Sequence, residues 1–494
     1  MPTRRFDRDD AWLLPPSLES LVAPDHPARF VADLVDQLPR ARWLAMGIHP
    51  DGHARGAPGV APRGLLGAWL YGLMTGIRTT RRLEQACRES IPFLWLTAAQ
   101  RPDHNTLWRF YQAHRAGLGT LFEQSVRTAV QLGALDLAVQ AVDGTKVRGA
   151  VARTSLRTGA GLQLLLDGVS EVLAQVDSQH AGDGGGEPPQ LPPELQDAAD
   201  RQQQIRAALE QVLPADGPER ISLTDPDARM QKLRGGGYAV GYNGQAAAAG
   251  LDPEQTDGVH GSFLTGVGMT NAAHDHEQLS PMLARIEATT EQPVETVLAD
   301  SGYFSSATLA VLEAAHPQTQ ALLPDSQAPT AEAAYHKDRF RYDPATDTVT
   351  CPEGQTLPFA GIITRPGNEP DARRYRAARR VCARWPALAA CVKSQTKGRS
   401  VTLRSDDVRL KAHRARMATE AARTTYRRRA ALIERVFGVI KDRLDGRQLY
   451  LRGLANVTAE WTLLAAAFNY RVLLKIWQRA ATAERRAVLV GAAA

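Results

Sequence analysis

Two apolar runs, LAVQAVD ending at Asp143 and PVETVLAD ending at Asp300, each deliver an aspartate at the end of a predicted strand. The first alternates in the manner of a half-buried strand, and Gly144 and Thr145 after it read as the start of a turn. Strand-like runs over Tyr238–Ala249 and Val259–Thr270 lie between the two aspartates, followed by a helical pattern from about His276 to Ala288. After Asp300 come a helical pattern over Ser306–Ala315 and a short apolar run, Gln320–Leu323. Three strands, helix, strand, helix, strand is the order of a mixed α/β layer.

A chain of 494 residues exceeds one ordinary core, and its texture divides it. Residues 1–133 read as an all-helical N-terminal domain, with periodic apolar positions in Phe30–Leu38, Leu65–Met74 and Leu121–Leu132. Asp103 is a natural N-cap for the helix carrying Leu107, Phe110 and Tyr111. Arg81, Arg82, Arg109 and Arg115 flank these short helices, as in a helix-turn-helix-like DNA reader or on the outer face of a plain bundle. Residues 134–325 hold the first part of the α/β domain. They include an insert at about 155–218 that reads as two helices around the link DSQHAGDGGGEPPQLPPE, too rich in Gly and Pro to pack. Residues 326–411 form a second, basic insert with hairpin-like strands in FRYDPATDTVTC. Residues 412–494 return to helices, one from near Ala418 to about Leu444 and one with a core stripe at Val457, Trp461, Leu464, Phe468, Val472 and Ile476.

Charge is unevenly placed. Residues 371–452 carry 23 Lys+Arg against 7 Asp+Glu, a local +16 in a chain of net +6. A basic block in an otherwise mildly acidic chain points to a polyanion partner. Neither a secretory leader nor a membrane span is expected, since TLLAAAFNYRVLLKIW is broken by Asn469, Arg471 and Lys475. Four cysteines in a chain of this length do not make a disulfide framework, and a cytoplasmic setting follows.

An Asp at a strand end is often only a turn former. Two of them on neighbouring strands would emerge at one sheet edge and repel each other unless a cation lay between them. All-oxygen ligands favour Mg²⁺, with Mn²⁺ able to substitute. Glu434, in YRRRAALIERVFGVIKDR, offers a third carboxylate from a helix whose Leu432, Val436, Val439 and Ile440 can pack on the sheet. Lys441, seven residues on, and Arg427, seven before, share its helical face. Acids after the first strand, after the fourth and on a late helix form the RNase H-like arrangement, whose chemistry is two-metal phosphoryl transfer.

These residues and their flanking blocks resemble the bacterial insertion-sequence transposases of the DDE type, in the branch with a Tyr-Arg-Glu-Lys pattern around the final acid. The blocks run nearly the whole chain: LLPPSLESLVAPDHPARF, TRRLEQACRESIPFLWL, RPDHNTLWRF, VDGTKV, DPDARMQK, GYNGQAA, LADSGYFS, IERVFGVIK and LRGLANV. The resemblance implies an RNase H-like mixed sheet interrupted by two inserts and a helical domain for binding element ends. It also implies Mg²⁺-dependent cleavage and strand transfer on double-stranded DNA by a nucleoid-associated protein, dimeric in its DNA complex. Catalytically idle descendants and generic RNase H-like nucleases are the alternatives. Asp143, Asp300 and Glu434 are the implied acids and Lys441 the implied Lys. Tyr426, Arg427, Arg429, Lys146 and Arg109 are candidate DNA contacts, although the pattern's usual Arg, four before the Glu, is Ala430 here. Similar transposases often carry a cysteine cluster suggestive of zinc. Here Trp385 takes one position beside Cys382, leaving Cys351, Cys382 and Cys391, so zinc is not expected; Cys87 reads as core.

Overall fold

The computed structural model describes residues 17–51, 59–180, 193–214, 217–233, 235–326, 334–364, 372–383, 388–392, 398–404, 406–480, 486–487 and 489–490. Most of the glycine-rich link of the first insert and Trp385 therefore lie outside the described residues. Among the described residues the N-terminal region is helical: Pro27–Asp36 (α1), Arg40–Ala45 (α2), Pro62–Met74 (α3), Thr80–Glu89 (α4), Ile91–Leu96 (α5), His104–Leu118 (α6) and Thr120–Gln131 (α7). Asp103 caps α6 as its type predicts, its Oδ1 accepting from Thr106 N at 2.7 Å. Helices α4 and α6, which carry Arg81, Arg82, Arg109 and Arg115, pack on each other. The short α5 intervenes between them in sequence, so they are not a two-helix unit joined by one tight turn.

The central sheet begins with Leu135–Arg148 (β1), which departs from expectation: the strand does not end at Asp143 but runs five residues further. A two-stranded ribbon, Leu156–Arg157 (β2) with Ile221–Ser222 (β3), closes the base of the first insert. That insert is the expected pair of helices, Gly159–His180 (α8) and Pro193–Val212 (α9), packed through Leu162, Ile205 and Leu209. Arg229–Lys232 (β4), Tyr238–Leu251 (β5) and Ser262–Thr270 (β6) follow, then Leu279–Thr290 (α10), Thr296–Leu298 (β7), Ser306–Ala315 (α11) and Gln320–Leu322 (β8). The main strand order is β6-β5-β1-β7-β8, with β4 pairing the start of β5. Strand β5 is antiparallel to both β1 and β6, while β1, β7 and β8 are mutually parallel. The long β5 explains the length of β1: its ladder pairs Asp143 with Ala246, Gly144 with Gln245 and Thr145 with Gly244, leaving no room for a turn.

Alternation along the strands sorts the two faces. Val142, Ala247 and Val297 pack with Leu283 and Ile286 of α10 and with Leu309 of α11. Ala141, Ala246 and Ala248 belong to the opposite core. Asp143 shares the parity of Ala141, so it faces the second side.

The second insert is a five-stranded antiparallel sheet of Arg341–Asp343 (β9), Thr348–Thr350 (β10), Thr356–Ile363 (β11), Ala372–Arg376 (β12) and Ser400–Leu403 (β13). Phe340, Val349, Leu357, Tyr375 and Val401 form its core, with the short helices Arg379–Cys382 (α12) and Leu388–Cys391 (α13) between β12 and β13. Three helices end the chain: Asp407–Met417 (α14), Glu420–Asp442 (α15) and Leu454–Arg479 (α16). Leu432, Ile433, Val436 and Ile440 of α15 are buried in the core shared with Ala141 and Ala246, each worth roughly 1.5–3 kcal/mol.

Helix α16 links the N-terminal helices to the sheet. Its predicted stripe is buried throughout; Trp461 Nε1 donates to Gln245 O at 3.1 Å, and Asn469 bridges Leu264 to Ser125 of α7. Gly244 makes the approach possible, because a Cβ there would stand 2.9 Å from the Trp461 ring. No helix of the described residues is long and apolar enough to cross a membrane.

Candidate active site

Asp143 is carried by β1, and its neighbour β7 ends two residues before Asp300. Asp300 leaves the sheet as the cap of a single 3₁₀ turn, its Oδ1 accepting from Gly302 N at 2.8 Å. Helix α15 crosses the face on which Asp143 lies. A cleft of 770 Å³ opens there, lined by Asp143, Thr145, Lys146, Glu434, Lys441 and Arg447 among others. Glu434 is exposed on its wall. Lys441 Nζ donates to Thr145 Oγ1, which ties the last turn of α15 to β1.

The remaining predicted contacts divide. Arg429 does not face solvent: its Nη2 pairs with Asp143 Oδ2 at 2.8 Å, both side chains being nearly buried. Tyr426 is half-buried, and its phenol is pushed up by burial and by the charges of Asp300 and Asp143, although Arg429 opposes. Arg427, expected on the face of Glu434, is exposed and pairs instead with Glu420 at 3.5 Å. Lys146 Nζ donates to Ala273 O at 3.0 Å at the cleft rim. Arg109 is exposed on α6 and is not among the residues lining the cleft.

Burial pushes the Asp143 carboxyl up to about 6 from an ordinary 3.8; Arg429 opposes this, while the charges of Asp300 and Asp275 add to it. The folded chain therefore holds, between these two values, a proton that the unfolded chain releases. Ionised Asp143 costs stability above about pH 6, and that cost fades as the pH falls. Cation binding needs the ionised form. Metal-dependent activity is thus expected to fall as the pH drops through about 6, checked by a pH profile at fixed metal concentration.

Crowded, partly desolvated carboxylates with only oxygen donors suit a divalent cation in charge and in donor type. Among the described residues, however, no group of three or more His, Cys, Asp or Glu side chains stands close enough to hold a metal ion. The fit therefore rests on Asp143 and Asp300, with Glu434 on the wall of the cleft.

Sequence reasoning missed Asp275, in the loop after β6. Its Oδ1 accepts from Asn243 Nδ2 at 2.6 Å and Gln245 Nε2 at 2.8 Å, and stands 3.9 Å from Lys146 Nζ. The only available signal was the pair Asn243 and Gln245, polar residues in an otherwise small and apolar strand.

Cys351, Cys382 and Cys391 line one small cavity with Glu353 and Arg399. Burial pushes the Cys391 thiol up; Arg399 opposes this, and the neighbouring Cys382 and Cys351 add to it. Cys87 is fully buried in α4, as expected of a core residue.

Two family profiles match the chain. One, described as a transposase DDE domain, covers residues 350–474; the other, described as a transposase domain, covers residues 16–113. Both matches are to transposase domains, one near the start of the chain and one in its last third. Their order along it supports an insertion-sequence DDE transposase. The first match contains Glu434 and Lys441 and the second Arg81, Arg82 and Arg109, whereas Asp143 and Asp300 lie outside both. Neither curated proteins nor solved structures give a match.

Proposed function

We propose that the chain cuts DNA at insertion-sequence ends and joins those ends to target DNA, with Asp143, Asp300 and Glu434 as its catalytic acids. The observation that carries this reading is the meeting of Asp143, from the middle of the sheet, with helix α15, whose Glu434 and Lys441 line the same cleft. The strand order β6-β5-β1-β7-β8, with β5 antiparallel to both β6 and β1 and then parallel β7 and β8, supports an RNase H-like catalytic layer. DDE transposases as a class use divalent metals. Asp143 and Asp300 would hold the Mg²⁺ or Mn²⁺, which when bound supplies Lewis-acid stabilisation of charge on the transferred phosphate.

The protein's own groups have separate tasks. Lys441, held by Thr145, presents positive charge at the cleft for the phosphate backbone, and Lys146, held by Ala273 O on the Asp275 side of β1, adds to it. Arg429 neutralises Asp143 and orients it. The basic block over residues 371–452 supplies the wider electrostatic footprint on DNA, and paired ends make a homodimer the natural complex. Affinity for duplex DNA should therefore fall steeply with salt, with a log–log slope of about 0.9 per phosphate contacted. A filter-binding series across salt concentrations measures this, and a flat response would remove the polyanion reading.

The functional test is incubation with duplexes bearing the element's termini, with Mg²⁺ or with chelator. Cuts confined to the termini and lost on chelation are expected. Cuts at arbitrary sequence would indicate a generic nuclease instead.

A further inference from the structure

Asp275 lies on the opposite side of β1 from the cleft helix α15. Asn243 and Gln245, which hold its Oδ1, sit across the ladder from Lys146 and Gly144. Gly144 is required here: a Cβ would stand 2.7 Å from Asp275 Oδ1 and from Gln245 Nε2, and 3.0 Å from Asn243 Oδ1. The Asn243 side chain is fully buried, and its Oδ1, directed at this point, has no hydrogen-bond partner among the described residues. Gln245 continues the network, its Oε1 accepting from the buried Tyr303 hydroxyl in the turn that Asp300 caps. The position a side chain at residue 302 would take lies 2.9 Å from Asp300 Oδ1 and 3.7 Å from Asp275 Oδ2. One carboxylate thus reaches, through two amides and a phenol, both acid-bearing segments.

The hydrogen bonds alone do not explain an acid at this position. An asparagine oxygen would accept from the same two amides, and a third negative charge beside Asp143 and Asp300 opposes folding. We infer that Asp275 is a positioning residue of the acid site: it fixes the β1 and Asp300 segments relative to each other and holds Lys146, and its charge strengthens the attraction for a divalent cation. This rests on the reading of Asp143 and Asp300 as the cation-holding pair.

Charge and structure make opposite predictions for Asp275→Asn. A unit charge about 6 Å from a divalent ion in a water-like medium is worth about tenfold in affinity. Mn²⁺ titrated into the full chain, with bound metal read by electron paramagnetic resonance, should show about a tenfold weaker affinity in Asp275→Asn. The melting temperature should not fall, and Asp275→Glu should retain most of the wild-type affinity. An unchanged Mn²⁺ affinity overturns the inference, as does an Asp275→Asn variant that melts early or fails to fold. A wild-type chain that binds no Mn²⁺ is a different failure: it removes the acid-site reading itself, and this inference falls with it.

Discussion

Asp143→Asn is expected to lower cutting of element-end DNA by on the order of a thousandfold or more while leaving DNA binding in place. The substitution keeps the shape of the side chain and removes its charge on the face of β1 that α15 crosses. Stability should move the other way. The ionised carboxylate, held at about 6 against 3.8, costs the fold about 3 kcal/mol at neutral pH even with Arg429 beside it. The metal-free variant should therefore melt no earlier than the wild type, and later if Arg429 finds solvent. Asp300→Asn and Glu434→Gln should abolish cutting as well, Glu434→Gln without effect on the fold because the residue is exposed. Strand-resolved gels of labelled termini, with melting curves in parallel, check all three. Near-normal cutting by any one of them would break the proposed triad.

The largest stability effect is expected far from the acids, at Arg78. Its guanidinium pairs with Glu460 of α16, donates to Gln448 O at 3.0 Å and to Asp445 O, and covers the Tyr450 ring at 4.6 Å. Glu460 in turn accepts from Tyr450 N and Leu451 N at 3.0 Å. The pair is almost wholly enclosed, with side-chain exposures of 2% and 9%. It fastens the segment leading into α4 to the loop that follows α15, the helix bearing Glu434. Arg78→Ala leaves the Glu460 charge buried without its counter-ion and should cost about 3–5 kcal/mol, read by chemical denaturation. Replacing both partners by apolar residues should cost far less, since the residual penalty comes from the orphaned charge. Equal losses in the single and double variants would mean that packing, and not charge compensation, holds this joint.

Much of this architecture was legible from periodicity. The helices of the N-terminal region, the α10 and α11 patterns and the buried stripe of α16 all appear close to their expected places, because a continuous apolar face admits few alternatives. Asp143 was singled out for a partly mistaken reason. Gly144 and Thr145 read as a turn, but the glycine answers to Asp275, Gln245 and Asn243 packed beneath the strand. No local pattern could announce that, because Asp275 lies in a polar loop and is joined to Asn243 and Gln245 only by folding. Helical spacing placed Lys441 and Glu434 on one wall of the cleft. It gave Arg427 the same face, where the exposed side chain turns back to Glu420, and it was silent on Arg429, whose partner belongs to another element. The five-stranded sheet of the second insert was visible only as its first hairpin, because Pro358 and Gly361 interrupt the pattern of β11 and basic residues fill β12.

The three acids are proposed to cut and rejoin DNA at defined ends. A direct measurement maps every 3′ and 5′ terminus formed when the full chain meets duplexes carrying the element's ends, a target plasmid and Mg²⁺. Cuts at the element boundary and covalent joints between the element's 3′ ends and target strands are expected, both absent from Asp143→Asn. End-bound protein that leaves every strand intact in the wild type would contradict the proposal.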